Sequence, residues 1–293
     1  MRQDVAVGGP FDLGATLESG QAFRWEKHGR GWVGVASRHL FLLSWKQGVL
    51  TVDSPSCEDP GGWARCYFDQ DTDYQALCER LRSLDTAVST AVDFAPGLRL
   101  LRQEPWEALL AFILSTNNNI PRIRRLVNRV SLRWGEKFPA AEHCWWALPS
   151  PSALATATEQ ELRECGVGYR APFLIDAARK VSSGDIDLAQ LESLTTMEAR
   201  TVLQQIKGVG RKVADCVLLF GLGRRDAFPI DVWVKRGLEE HYFDGQGTRI
   251  KALHEFAASQ FTHDAGYAQN YLFYHTRTSS VARGRNSRIR KPH

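Results

Sequence analysis

The segment Ile206–Cys216, IKGVGRKVADC, restricts this chain more than any other. Glycines at positions 208 and 210 call for a tight turn, and the residues after them have helical spacing. The segment therefore reads as a hairpin that opens a helix, with Lys212 on the first turn and Cys216 one turn further along the same face. A short apolar stretch, TVLQQI, leads into the hairpin, and Asp231 follows a second short apolar run and a proline. The first amides of a helix lack intrahelical partners and accept a phosphate, as in a helix-hairpin-helix DNA-binding element. A lysine at that point places an amine beside the sugar that the phosphate carries. The combination implies chemistry on DNA rather than binding alone.

A chain of 293 residues with 43 % hydrophobic content can bury one large core or about two to three modest lobes. Its formal charge of +4 is small but unevenly placed. The run 121–133, PRIRRLVNRVSLR, holds five arginines and no acid, and the tail 281–293, VARGRNSRIRKPH, holds four arginines and one lysine. Residues 51–85 carry eight acids against three arginines. A polyanion is steered to particular faces by such an arrangement. For the tail two readings stand, added phosphate affinity or a solvated, frayed end. No two of the six cysteines have the short spacing of a zinc knuckle or a compact iron–sulfur loop, and none follows Cys216, so free thiols and no cluster are expected. No segment has the length and hydropathy of a signal peptide or a membrane span, so an intracellular protein without a membrane partner is expected.

Organisation changes near Pro96. Before it, aromatic and β-branched segments separated by glycine turns predict antiparallel strands over 32–35, 39–45 and 49–52, followed by a helix over 73–82. From Pro105 the apolar period becomes 3.6, with Trp106, Leu109, Leu110 and Ile113 on one face. Further helices are predicted over 121–134, 158–165, 170–182, 196–206, 211–221, 231–242, 250–259 and 265–274. The expected fold is α+β: an N-terminal antiparallel β-sheet domain with a helix over 1–95, an all-helical two-lobed body over 96–275, and a flexible basic tail over 276–293. The hairpin element itself falls at about 196–221.

A second glycine hairpin, CGVGYR at 165–170, precedes another helix. Tyr169 and Arg170 read either as a wedge and a base reader or as a core tyrosine beside a surface arginine. The segment 115–125, STNNNIPRIRR, interrupts an apolar helix with three asparagines, of which capping accounts for one at most. The amide of Asn117 can then fill space vacated by a nucleotide, and Arg122 can reach a base or a phosphate.

Lys212 and Asp231 suggest how the chemistry would run. An amine attacking the anomeric carbon must be neutral at that moment, and a helix N-terminus with a neighbouring cation disfavours an ammonium. The departing base leaves positive character on the sugar, which a fixed carboxylate stabilises. The alternative makes Asp231 a helix cap and Lys212 a phosphate contact.

The motifs GQAFRW (20–25), STNNNIPRI, GVGYR, KGVGRKVADC, PIDVW and GYAQNYLF (266–273) occur in the order found in 8-oxoguanine DNA glycosylases/AP lyases of the helix-hairpin-helix glycosylase superfamily, which the chain resembles from about residue 11 to 275. The resemblance implies excision of 8-oxoguanine opposite cytosine from duplex DNA, with strand cleavage by β-elimination. It places the catalytic lysine on Lys212 and the catalytic aspartate on Asp231. The lesion pocket falls on Gly20, whose carbonyl reads the N7 proton of the oxidised base, on Gln269 at its Watson–Crick edge, and on Cys216 and Phe273 as stacking walls. Asn117, Arg122 and Arg170 match the residues that contact the estranged cytosine, with Tyr169 as wedge. Lys207, Gly208 and Gly210 match the phosphate clamp, where a monovalent or divalent cation sits on carbonyls such as those of Gln204, Ile206 and Val209. No catalytic metal or cofactor is implied, and a monomer is expected.

Three positions depart from the familiar pattern. Trp233 and Thr276 stand where eukaryotic members carry a phosphate-contacting histidine and its supporting aspartate, and Lys207 replaces the usual hairpin proline. The two alternatives to the leading reading are a related glycosylase with another oxidised-base preference and a non-catalytic DNA-damage binding protein. If the chain is bacterial, its expected location is the cytoplasm with the nucleoid.

Overall fold

The computed structural model describes residues 1–138 and 144–289, with side chains through Ala282. The N-terminal lobe is a five-stranded antiparallel sheet of β1 (Arg2–Ala6), β2 (Trp25–His28), β3 (Gly31–Ala36), β4 (His39–Lys46) and β5 (Val49–Asp53), ordered β1-β5-β4-β3-β2. Register is fixed by pairs such as Trp32 opposite Leu43 and Leu43 opposite Val52. One face packs its Trp25, Trp32, Phe41 and Leu50 against α1 (Leu13–Glu18) and α2 (Pro60–Tyr67). β3 is buried on both faces because Val33 and Val35 meet Ala147 of the helical body.

Every predicted strand and helix has a counterpart. β1, β2, α1, α2 and α4 (Thr86–Phe94) were not predicted, nor, further on, were two short strands over 137–138 and 145–146 and a short helix over 151–155. β1 is an edge strand with one buried side chain, Val5, so it carries no alternating pattern. α2 contains two glycines and α4 is rich in Thr and Val, which hides both from propensity. Each is nonetheless started by an aspartate cap: Asp59 accepts from Gly62 N at 2.9 Å and Asp85 from Val88 N at 2.9 Å. The acidic run is thus partly a set of helix caps. Although α3 (Tyr74–Arg82) and α4 precede residue 96, their Leu77, Leu81, Val88 and Val92 belong to the core of the helical body.

That body comprises α5 (Pro105–Ser115), α6 (Ile120–Trp134), a short hairpin of β6 (Lys137–Phe138) and β7 (Trp145–Trp146), α7 (Pro151–Ala155), α8 (Glu159–Glu164), α9 (Ala171–Ser183), α10 (Thr196–Leu203), α11 (Arg211–Phe220), α12 (Val232–Tyr242), α13 (Ile250–Gln260) and α14 (Ala265–Ile289). α5 is its axis: Trp106 through Leu114 are all buried, and α6, α9 and α11 pack around it. The expected end of the last helix at 274 is corrected, because α14 continues without a break to Ile289. Thr276 is buried on it, so the flexible segment expected from residue 276 does not start there. Among the described residues no helix is long and apolar enough to cross a membrane.

Two buried carboxylates join the lobes. Asp69, fully buried, pairs with Arg102 at 2.6 Å and accepts from Tyr267 Oη at 2.6 Å, tying the sheet lobe to α14. Removing one partner of such a pair strands a buried charge and costs about 3–5 kcal/mol. Glu107 on α5 accepts the Ser37 and Arg38 amides of the β3–β4 turn at 3.1 and 3.2 Å. Burial, with Glu104 nearby, pushes its carboxyl up to about 7, against the opposing effect of Arg24. The folded state therefore favours the protonated acid more than the unfolded chain does. Glu107 contributes stability that is full below about pH 4.5 and is lost as pH rises through about 7. Thermal midpoints of the wild type and Glu107→Gln, compared from pH 5 to 8, should shift in favour of the variant as pH rises; a constant difference would show that Glu107 does not titrate in this range.

Candidate active site

The hairpin is built on α10, which opens with a reciprocal cap between Thr195 and Glu198, and it delivers α11. Gly208 has φ +80°, and a β-carbon there would lie 2.3 Å from the Phe173 ring, so both conformation and space require glycine. The turn is held from behind by Asp176, which accepts the Lys207 amide at 2.7 Å. Lys207, Gly208 and Gly210 are exposed. Gly210 caps α11 without a side-chain hydrogen bond, which leaves the first amides of α11 open to an anion. Beside it, the Lys180 ammonium bonds the Gln205 carbonyl at 2.5 Å, and Ile206 O accepts from Val209 N at 3.0 Å.

α11 packs across α5, and a cavity of about 680 Å³ opens where they meet α14 and the cap of α12. Lys212, Cys216, Asp231, Gly20, Gln269 and Phe273 all line it. Lys212 Nζ donates to Ser115 Oγ at 3.0 Å and lies 5.3 Å from the Phe112 ring centroid. Ser115 spends its own proton on Phe112 O at 2.7 Å, so it must accept from the lysine. Asp231 caps α12, its Oδ1 taking the Trp233 and Val234 amides at 2.9 Å each. Burial raises the Asp231 carboxyl, against the opposing amides and the nearby Lys212. Cys216 is buried, and burial pushes its thiol up to about 12 despite Lys212. It is a neutral, polarisable wall rather than a nucleophile.

α14 supplies the far wall. Gln269 Nε2 donates to Pro229 O at 3.0 Å, which fixes the amide so that Oε1 faces away from that carbonyl; Oε1 is buried and has no partner. Phe273 sits one turn on. Gly20, at φ +100°, follows the end of α1; a β-carbon there would meet Ile120 Cδ1 and Arg277 Nη1 at 2.9 Å and Phe273 Cε1 at 3.3 Å.

The three asparagines divide their work. Asn119 caps α6, accepting from Arg122 N at 3.0 Å. Asn118 donates to the Leu114 carbonyl at 3.0 Å, closing α5, so it is not free for a base as the sequence suggested. Asn117, exposed at φ +47°, points its amide to Tyr169 Oη at 3.4 Å. Tyr169 is 51 % exposed, which rules out the core-tyrosine alternative. Arg122 is exposed, whereas Arg170 is only 3 % exposed, so the surface arginine of that same alternative is not found either. Its guanidinium is bound to the Thr116, Asn117 and Val167 carbonyls.

Among the cavity residues that the sequence reading gave no role are Phe112, Ser115, Asn270 and Arg277. Arg277 continues the Gln269–Phe273 stripe at i+8 but lies beyond the expected helix end at 274, which hid it. Trp233 lines the cavity mouth with the Arg236 guanidinium 5.1 Å from its ring centroid, and Thr276 Oγ1 is buried without a partner. Among the described residues no His/Cys/Asp/Glu group could hold a metal ion, and all six cysteines are unpaired.

Comparison with known proteins agrees with this architecture. Residues 6–109 match the 8-oxoguanine DNA glycosylase N-terminal domain, and 110–259 match the HhH-GPD superfamily base excision DNA repair protein. The probable N-glycosylase/DNA lyase of Methanothermobacter thermautotrophicus is 30 % identical over 93 % of this chain and 96 % of its own. The N-glycosylase/DNA lyase OGG1 of Arabidopsis thaliana is 30 % identical over 89 % of this chain and 76 % of its own. The Clostridium acetobutylicum 8-oxoguanine glycosylase/lyase, solved with double-stranded DNA containing cytosine opposite 8-oxoG, superposes with a TM-score of 0.88 at 32 % identity, covering 93 % of each chain. The chain belongs to the 8-oxoguanine DNA glycosylase/lyase family within the HhH-GPD superfamily.

The thiol states give a direct check on the site. In the native protein at pH 8, a thiol-alkylating reagent followed by mass spectrometry should modify the exposed Cys66 and Cys144 and leave Cys216 unmodified. Rapid alkylation of Cys216 would mean that the cavity wall is neither buried nor neutral.

Proposed function

We propose that this enzyme excises 8-oxoguanine paired with cytosine and then cuts the strand through a Schiff base on Lys212. The observation that carries the reading is the convergence of an amine, Lys212, and a carboxylate, Asp231, on one cavity that is also lined by an unpartnered acceptor, Gln269 Oε1. A nucleotide rotated out of the duplex enters such a cavity. Cys216 and Phe273 face its base, Gln269 Oε1 accepts from the Watson–Crick edge of a guanine-type ring, and the Gly20 carbonyl takes the N7 proton that 8-oxoguanine has and guanine lacks.

Lys212, having lost a proton, attacks C1′, and the bond from C1′ to the base breaks with its electron pair leaving on the base, which takes up a proton. Asp231 stabilises the positive character at the sugar. Opening of the sugar ring leaves a protonated imine on Lys212, and loss of a C2′ proton expels the 3′ phosphate. The open amides at Gly210 and the exposed Lys207 hold a backbone phosphate, and the carbonyls of Gln204, Ile206 and Val209 hold a cation. Tyr169 wedges the duplex while Asn117 and Arg122 meet the estranged cytosine. Arg170 joins them only by giving up carbonyl bonds it holds in the free protein.

The decisive test is borohydride trapping on a duplex with 8-oxoguanine opposite each of the four bases. A covalent adduct strongest opposite cytosine, and absent in a folded Lys212→Gln variant, is expected. Tight lesion binding without an adduct moves the reading to a non-catalytic damage-binding protein or, if free base is released, to a glycosylase without the lyase step; an adduct favouring another lesion moves it to a different oxidised-base specificity.

The raised carboxyl of Asp231 sets a pH dependence. As pH falls, Asp231 takes up its proton at a higher pH than an ordinary aspartate, so single-turnover excision should decline on the acid side above 3.8. Asp231→Asn should be slow at every pH and lack that limb. A wild-type limb at or below 3.8 would separate Asp231 from the rate-limiting step.

A further inference from the structure

Among the described residues, Arg277 is the cation on the α14 wall of the cavity that the proposed chemistry does not use, and it stands one turn beyond Phe273. Its Nη2 donates to the main-chain carbonyl of Glu18 at 3.0 Å, while the carboxylate of Glu18 pairs with Lys27 at 3.1 Å. Its Nη1 lies 2.9 Å from the point a Gly20 β-carbon would occupy. The guanidinium carbon is 5.3 Å from the Phe273 ring centroid and 5.7 Å from that of Tyr274. One planar group therefore touches the end of α1, the face of Gly20 and the ring of Phe273.

Among the described residues no other hydrogen bond ties the Gly20 turn to α14. From behind, Gln21 Nε2 bonds Ser19 Oγ at 2.9 Å and Arg99 O at 2.8 Å, which fixes the neighbours of Gly20 to the interlobe segment rather than to α14. Burial lowers the Arg277 guanidinium, against the opposing effects of Tyr274 and the Asp231 carboxylate, so the fold holds this cation in place at a cost. An apolar side chain would have filled the same space more cheaply.

We propose that Arg277 is a positioning residue for the lesion slot: it clamps the Glu18–Gly20 turn to α14 and so sets the spacing between the Gly20 edge and the Phe273 wall. This rests on the reading of the cavity as the slot for an oxidised purine. The arginine fork suits the role because one donor holds a carbonyl while the opposite edge of the same rigid plane presses on Gly20. A lysine supplies the first contact and lacks the second.

The experiment compares two reactions of the full-length wild type, Arg277→Met and Arg277→Lys. One is single-turnover excision of 8-oxoguanine opposite cytosine; the other is strand cleavage at a preformed abasic site, which contains no base to position. Arg277→Met should slow excision roughly 10- to 100-fold, the scale of an ångström-sized misplacement, and slow abasic-site cleavage by less than about threefold. Arg277→Lys should recover part of the excision rate, and preference for 8-oxoguanine over guanine should narrow in the Met variant. Excision by Arg277→Met within about threefold of wild type overturns the proposal, as does an equal loss of both reactions with a lowered thermal midpoint, which marks a purely structural role. A wild-type protein that cleaves abasic sites but leaves 8-oxoguanine in place sinks the underlying reading, and the clamp with it. A wild type that excises the lesion beside an unaffected Met variant sinks the clamp alone.

Discussion

The burial of α5 on every side is the constraint on which the site depends. A helix with nine consecutive buried residues cannot rotate or slide without opening voids around Leu109, Leu110 and Ile113. Its two ends therefore hold a fixed relation. At one end Glu107 grips the amides of the β3–β4 turn, and at the other Ser115 accepts from Lys212. The sheet lobe, which contributes Gly20, and the hairpin helix, which contributes the amine, are thereby referenced to one rod. α14 is referenced independently through Asp69, Arg102 and Tyr267. Groups supplied by widely separated parts of the sequence meet at one cavity because the elements that carry them are referenced to the same buried core.

The parts of this arrangement that were legible in sequence are those whose signal is local. The hairpin glycines, the i, i+4 pairs Lys212–Cys216 and Gln269–Phe273, and the cap at Asp231 each express a geometric requirement within a few residues. Long amphipathic helices were legible for the same reason. What the sequence concealed depends on distant partners. Arg170 looks like a surface arginine beside a tyrosine, yet its guanidinium is drawn inward by carbonyls of the Thr116–Asn117 turn, which a linear reading cannot bring near it. Asn118 is spent on the Leu114 carbonyl because α5 ends there in a sharp turn. α2 and α4 were hidden by judging propensity ahead of the aspartate caps that start them.

Charge is distributed to match. Much of the acid in 51–85 is consumed internally, by Asp59, Asp73 and Asp85 at helix starts and by Asp69 in its buried pair. The first part of the basic run at 121–133 begins at the exposed rim next to Asn117 and Tyr169. A chain of small net charge thus exposes Arg122 and Arg125 close to the cavity-lining Pro121, an arrangement that favours the approach of a polyanion there.

The cavity and the hairpin beside it carry hydrogen-bonding capacity that the fold leaves unspent. Gln269 Oε1 is buried without a donor, one oxygen of Asp231 takes both cap amides while the carboxylate still faces the cavity, and the first amides of α11 have no cap. Leaving a buried polar group unpaired costs about 1–3 kcal/mol, so a protein under selection for stability alone would have filled these positions with apolar side chains. A ligand that restores the missing bonds recovers that free energy on binding. The recovery is selective, because a base that lacks the matching donors leaves the same groups unpaired and now cut off from water as well. On the proposed reading of the cavity as a base slot, discrimination comes less from attraction to the right base than from the penalty on every other one, and that penalty holds only while the walls keep their spacing.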